Sequence, residues 1–332
     1  MKKNYRAWQI NPAGFPEQKT VTDQLDFLIG FAVLAPSGHN AQPWKFYAQG
    51  NTITVSADMT RSLPASDVNG RQLYISIGCA IENLLIAAEH YGFEYVITYF
   101  TKETIIARIV FSRIRKYASE KENLISAILH RHTNRNPYDT RMPEKEFLEK
   151  VKARATNDME IHLVSEQSQK DKISDIASEA LIAEMDDKNF RLELSQYLKP
   201  NTTHSSIGMP GAGFGIPTPL SFIAPFFIKY VNVNRLSRKA DQTLLKQHTQ
   251  VIGVIATRED NQKSWVMVGQ VYERIAIEAE TEHIKTHPLA ASVEAITCRQ
   301  KLQNALQTSY YPQFFFRMGY TDLSAPISPR LV

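Results

Sequence analysis

Residues 71–91 constrain the fold more than any other stretch. Leu73, Ile75, Ile77, Ala80, Ile81, Leu84, Leu85 and Ala88 spread apolar side chains over most of a helix's circumference, so this helix has no face to offer water. It must be a central, buried helix with other elements packed around it. A chain of 332 residues can supply that core, and would ordinarily form one large or two medium domains.

The surrounding pattern is mixed. Thr22 is placed to cap a helix carrying Leu25, Leu28, Ile29, Ala32 and Val33, which Pro36-Ser37-Gly38 stops. Alternating residues 45–48 and 52–56 flank Gly50-Asn51, a hairpin signal, and strands are expected at 95–100 and 105–111. A helix follows with Leu124, Ile125, Ile128 and Leu129, then a charged helix after Pro143 and a strand at 161–164. An acidic helical stretch runs to about residue 198, and residues 201–220, rich in Gly and Pro, form a long loop of the kind that often serves as a lid. A strand at 250–256, a long helix at 265–282, a shorter one at 298–306 and a strand at 313–317 complete the chain. Strands grouped with helices, without regular βαβ alternation, favour α+β. The two halves, 1–118 and 119–332, run alike: helix, strands, long buried helix, terminal strand.

The totals exclude several classes. The 38 Lys and Arg against 34 Asp and Glu give a net charge of +4, too balanced for nucleic-acid binding. Cys79 and Cys298 stand far apart with no metal-ligand spacing and read as buried thiols in a reducing compartment; no metal site is expected. The N-terminus lacks the apolar core of a secretory signal, and the apolar run at 220–230 is too short to span a bilayer, so a cytoplasmic protein without a membrane partner is expected.

Two stretches carry chemistry. In Arg131-His132-Thr133-Asn134-Arg135, two guanidiniums flank a hydroxyl, a set that can converge on a terminal phosphate. By itself it reads more simply as a solvated basic helix end. In Ala35-Pro36-Ser37-Gly38-His39-Asn40-Ala41-Gln42-Pro43-Trp44, a stopped helix is followed by Asn40 and Gln42, amides that suit a flat heterocycle's edge or merely tie down a turn.

Residues 35–44 resemble the A-P-S-x-x-N-x-Q-P-W signature of the nitroreductase superfamily of FMN-dependent oxidoreductases, and residues 131–135 are similar to its R-x-S-x-R/K phosphate motif. Residues 265–274 resemble its central helix, and Phe316-Arg317-Met318-Gly319-Tyr320 with Ser328-Pro329-Arg330 its C-terminal ending. Each half lacks one of the two motifs, so a single composite site can be assembled. The resemblance is therefore closest to the double-length, Acg-like branch, in which one polypeptide mimics the usual dimer. It implies a nitroreductase-like fold of two fused halves, an intramolecular pseudo-dimer around antiparallel-rich sheets that leaves the protein a monomer or a homodimer.

The resemblance implies that Arg131, Thr133 and Arg330, with His132 and Ser328 beside them, hold the FMN phosphate. Arg135 would lie near flavin N1 and O2. Pro36, Ser37, Gly38, Asn40 and Gln42 would contact the ring from the other half. At Leu289 and Ala290 the family's Glu-Gly loop is replaced by residues without an acid, leaving backbone donors. His39 and His132 read as structural or phosphate-shell residues, and no catalytic side chain is assigned, since hydride passes through the flavin itself. The implied activity is ping-pong reduction of nitroaromatics, quinones or similar small electron-poor acceptors by NAD(P)H. The alternative is a non-catalytic FMN store with a lid, residues 201–230, closed over the flavin; a third reading is an oxidase of the same fold.

Overall fold

The computed structural model describes residues 2–102, 104–114, 122–232 and 242–331. The first helix, Val21–Ala32, starts at Thr20 and not at Thr22. The Thr20 hydroxyl accepts from the Asp23 N–H and the Asp23 carboxylate accepts from the Thr20 N–H, a reciprocal cap that the sequence T-x-x-D supports. Thr22 sits within the first turn, and its hydroxyl donates to the Gly50 carbonyl.

Strands β1 (Trp44–Gln49) and β2 (Thr52–Ala57) pair across Gly50-Asn51, with Gly50 at φ 59° as the tight turn requires. The first central helix, Arg71–His90, follows, then β3 (Phe93–Lys102) and β4 (Ile105–Arg113). These four strands form an antiparallel sheet in the order β1-β2-β4-β3.

The second half repeats this scheme. Strand β5 (Met159–Val164) is followed by the helices Gln167–Asp186 and Lys188–Tyr197 and by a short parallel pair, β6 (Leu198–Lys199) with β7 (Met209–Pro210). Then come β8 (Val251–Thr257), the second central helix Gln262–Thr281, β9 (Lys285–Pro288) and β10 (Tyr311–Gly319). The sheet order is β5-β8-β10-β9, again antiparallel, and the central helix again enters between the second and third strands in chain order. The expected α+β class and antiparallel sheets are thus present. Strand β9 escapes the sequence because Lys-Thr-His-Pro shows no alternation, yet Phe316 to Gly319 hold it in register. Where the first sheet uses a two-residue turn between its first two strands, the second inserts the material that roofs the site.

The two central helices cross where glycine meets glycine. A Cβ on Gly78 would lie 2.1 Å from the Val266 carbonyl oxygen, and one on Gly269 would lie 2.0 Å from that of Ile75. The backbones therefore approach as only glycine allows, and Cys79 Sγ lies 3.3 Å from the Gly269 carbonyl oxygen. Both cysteines are buried and unpaired. One large apolar cluster runs through both halves from this crossing, including Leu25, Ile77, Ile81, Val266 and Phe316.

The expected division at 118/119 lies outside the described residues. The N-terminal arm forms a 3-10 helix, Lys3–Gln9, and packs on the opposite end of the chain. Trp8 Nε1 donates to the Ser328 carbonyl at 2.8 Å, and the Arg330 N–H donates to the Asn4 carbonyl at 2.8 Å.

Candidate functional site

The loop that ends the first helix folds in an uncommon way. His39, Asn40 and Gln42 all have positive φ, at 48°, 55° and 54°, a conformation that costs non-glycine residues about 1–3 kcal/mol each. Specific hydrogen bonds hold it. Asn40 Nδ2 donates to the carbonyls of Gly208 and Pro329, both at 2.9 Å, and Asn40 Oδ1 accepts from Arg330 Nη1 at 2.7 Å. Gln42 Nε2 donates to the Ser206 carbonyl at 2.7 Å, and its Oε1 accepts from the Leu331 N–H at 2.9 Å. Gln42 is completely buried, and its amide joins the loop, the lid base and the C-terminal tail.

Opposite the loop, the helix Glu122–His130 ends in the turn that carries Arg131, His132, Thr133 and Arg135. Arg131 is buried, with Nε 3.0 Å from Glu273 Oε1 and Nη2 donating to the Leu34 carbonyl at 3.1 Å. Arg330 Nη2 donates to the same carbonyl at 3.1 Å, and its guanidinium faces the Trp8 ring at 5.0 Å. Arg131 Nη1 and Arg330 Nε are buried without a hydrogen-bond partner. Two charged donors are thus left over where two otherwise anchored guanidiniums meet.

The local field is positive. Burial pushes Arg330 down to about 9 and Arg135 down to about 10, with neighbouring guanidiniums contributing in each case. Behind Arg135 lies Arg317, fully buried, its guanidinium 4.0 Å from the Tyr138 ring and its Nε donating to His287 Nδ1 at 3.0 Å. Burial and Arg317 hold His287 far below the usual imidazole range, as a neutral acceptor. Among the described residues the carboxylate facing this group is Glu273, which burial raises to about 7 against the pull of Arg131. Neither Arg317 nor Glu273 carries a sequence signal beyond its place on a buried strand or helix.

These groups surround a cavity with two parts. The narrow part, about 60 Å³, is lined by Arg131, His132, Thr133, Ser328 and Arg330 together with Pro36, Ser37 and Asn40. The broad part, about 320 Å³, is lined by Gly38, His39, Gln72, Cys79, Leu289, Ala290 and Phe314, among others. Pro36, Ser37, Thr133, Arg135, Met209 and Phe214 line both. Every expected site residue other than Gln42 therefore reaches this one cavity. His39 is neutral, pushed to about 4 by burial, and lies edge-on to Phe190; His132 is also lowered by burial, with Nδ1 2.6 Å from the His130 carbonyl oxygen.

The Gly/Pro segment covers the cavity. Phe214 stacks its ring over Arg135 at 4.5 Å, and the segment's base is tied to the Asn40 loop through Gly208 and Ser206. Beyond it the helix Ala224–Tyr230 presents Phe226 and Tyr230 to solvent. Among the described residues no helix is long and apolar enough to cross a membrane, and no cluster of His, Cys, Asp and Glu could hold a metal.

No protein-family model matches the chain. Among curated proteins it is similar to Rv3131 of Mycobacterium tuberculosis, provisionally named an NAD(P)H nitroreductase: 22% identity over 323 residues, covering 95% of this chain and 89% of that protein. It is 24% identical over 295 residues to the uncharacterized Rv3127 of the same organism, covering 87% and 84%. It is also 30% identical over 127 residues to Acg, provisionally named likewise, covering 37% and 38%. Among solved structures it aligns with the FMN- and NADPH-dependent nitroreductase NfnB of a Sphingopyxis strain at TM-score 0.41 and 13% identity, over 63% of this chain and 95% of that one. A protein provisionally named an NAD(P)H nitroreductase aligns with this chain over nearly its whole length, the two sheets share one strand order, and both sequence motifs line one cavity: the chain is similar to proteins named as NAD(P)H nitroreductases, Rv3131 and Acg among them.

Proposed function

We propose that this chain is an FMN-dependent NAD(P)H oxidoreductase of the nitroreductase type, reducing small electron-poor acceptors such as quinones and nitroaromatics. The carrying observation is the convergence of Arg131, Arg135 and Arg330 on the narrow end of a cavity whose broad end is apolar, with Arg131 Nη1 and Arg330 Nε left without hydrogen-bond partners. The donor set fits a phosphate, and the broad end suits a flat ring. Arg131, Arg330 and the Thr133 hydroxyl would hold the phosphate, while Pro36, Ser37, Gly38, Leu289 and Ala290 would flank the ring. When bound, FMN supplies hydride acceptance and donation. The chain's part is electrostatic and steric. Arg135, without a carboxylate partner among the described residues and backed by Arg317, favours added negative charge beside it. The segment that carries Met209 and Phe214 would shield part of the bound ring from water. Anaerobic addition of NADH or NADPH to the flavin-loaded protein tests the reading. It predicts bleaching of the flavin absorbance; a flavin bleached by dithionite but by neither nicotinamide would contradict it.

One observation favours a second reading, a flavin store with its lid shut: Phe214 lies on Arg135 while the lid base is tied to the Asn40 loop. That protein would retain FMN and stay yellow with both nicotinamides.

A further inference from the structure

One wall of the broad cavity carries a carboxyl group for which cofactor binding has no use. Glu184, near the end of the Gln167–Asp186 helix, lines the cavity beside Leu181 and Met185 of its own helix and Phe190 and Leu194 of the next. Among the described residues no side chain pairs with it, the neighbouring carboxylates are engaged, and His39 is neutral with Nε2 unpartnered. Glu294 lies 3.5 Å from Arg71 and accepts from Gln72 Nε2 at 2.9 Å. Asp67 accepts from the Gln72 and Leu73 N–H groups, Arg135 lies under Phe214, and His39 lies edge-on to Phe190.

We propose that Glu184 helps determine which acceptors bind in this cavity: its carboxyl group donates a hydrogen bond to an oxygen of a flat, uncharged aromatic such as a quinone. The inference rests on the oxidoreductase reading above. The Glu184 carboxyl is partly exposed to the cavity, but partial burial among Leu181, Met185, Phe190 and Leu194 makes it costly to ionise and Glu294 adds like charge, so it is raised to about 8. At neutral pH it keeps its proton and is a donor; as pH rises through that value it becomes an acceptor only and repels an oxygen. No element of sequence pattern announces this, because the effect comes from what the insertion between β5 and β8 packs around one side chain.

The test is calorimetric binding of menadione, and of its sulfonated analogue, to the oxidised, FMN-loaded protein without any reductant. Wild type should bind menadione roughly tenfold more weakly at about pH 9 than at about pH 6.5, the worth of one hydrogen bond. Glu184→Gln keeps an N–H donor and should bind about as tightly at the lower pH, with no decline at the higher. Titration of Arg330 and Arg135 is common to both proteins and cancels in the comparison. Glu184→Leu should lose roughly tenfold at the lower pH and also show no decline. At about pH 9, where Glu184 is ionised, the sulfonated analogue should lose more affinity in wild type than in Glu184→Gln. Infrared spectra should show a protonated-carboxyl band in wild type at neutral pH that Glu184→Gln lacks. Menadione binding that is absent, or equally pH-dependent in wild type and Glu184→Gln, overturns the inference while leaving the flavin reading standing. A chain that takes up no FMN sinks that reading and this inference with it.

Discussion

Arg131 Nη2 and Arg330 Nη2 each lie 3.1 Å from one acceptor, the carbonyl oxygen of Leu34. That carbonyl belongs to the end of the first helix, Arg131 to the second half and Arg330 to the C-terminal tail. Three distant parts of the chain thus meet on one atom, and both arginines line one cavity. A composite site follows from this geometry, because neither half has both motifs.

Arg330→Lys keeps a positive charge but loses the planar fork that reaches Asn40, Pro329 and Leu34 together. Under the proposed function it should weaken FMN binding roughly tenfold or more, about the loss of one charge-assisted hydrogen bond. Fluorescence titration with FMN measures this; unchanged affinity would remove Arg330 from the phosphate site.

Glu273 gives a pH signature. Burial raises its carboxyl to about 7, above its ordinary value, so its contribution to stability is full below the ordinary carboxyl range and is lost as pH climbs toward 7. Glu273→Gln removes that loss. Denaturant midpoints of the two proteins should therefore shift in the variant's favour between pH 5 and pH 8. A shift in the opposite direction would mean that Arg131 holds the carboxylate more firmly than burial disfavours it.

Gly78→Ala and Gly269→Ala each place a methyl group inside contact distance of backbone on the facing helix. Backbone there cannot swing aside as a side chain would, so each should cost about 3 kcal/mol or more in urea unfolding. The double variant should cost less than the sum, since one separation of the helices relieves both clashes. Losses under about 1 kcal/mol would mean that the crossing is looser than described.

How much of this was legible in the sequence depends on what carried each feature. The two central helices declared themselves through apolar residues on all sides, and the loop at 36–42 and turn at 131–135 through residue types that only a resemblance made specific. For Gln42 the residue type left two uses open, because an amide in such a loop can face a ligand or its own backbone. The structure turns it toward Ser206 and Leu331. Glu184, Glu273 and Arg317 were not legible at all, since a charged residue in a helix or strand looks the same whether water or a core surrounds it. The repeat was visible only as an order of elements. The shared strand order appears once pairing is known, because β5 and β8 are separated by the whole lid.

Phe214→Ala probes the lid without touching the core, since Phe214 is 43% exposed and its partner is the Arg135 guanidinium. Stability should change by no more than about 1 kcal/mol, the worth of a partly exposed cation–π contact. Reduction of the flavin by NADPH should accelerate severalfold if the ring gates entry. Unchanged reduction kinetics would place the barrier elsewhere.

The most direct measurement is the FMN content of the protein refolded or reconstituted with excess FMN, freed of unbound flavin, and counted against chain concentration. One FMN per chain, lost in an Arg131→Met, Arg330→Met double variant that remains folded by circular dichroism, is the predicted result. Two FMN per chain would mean that each half builds its own site, and none would mean that the cationic end of the cavity holds something else.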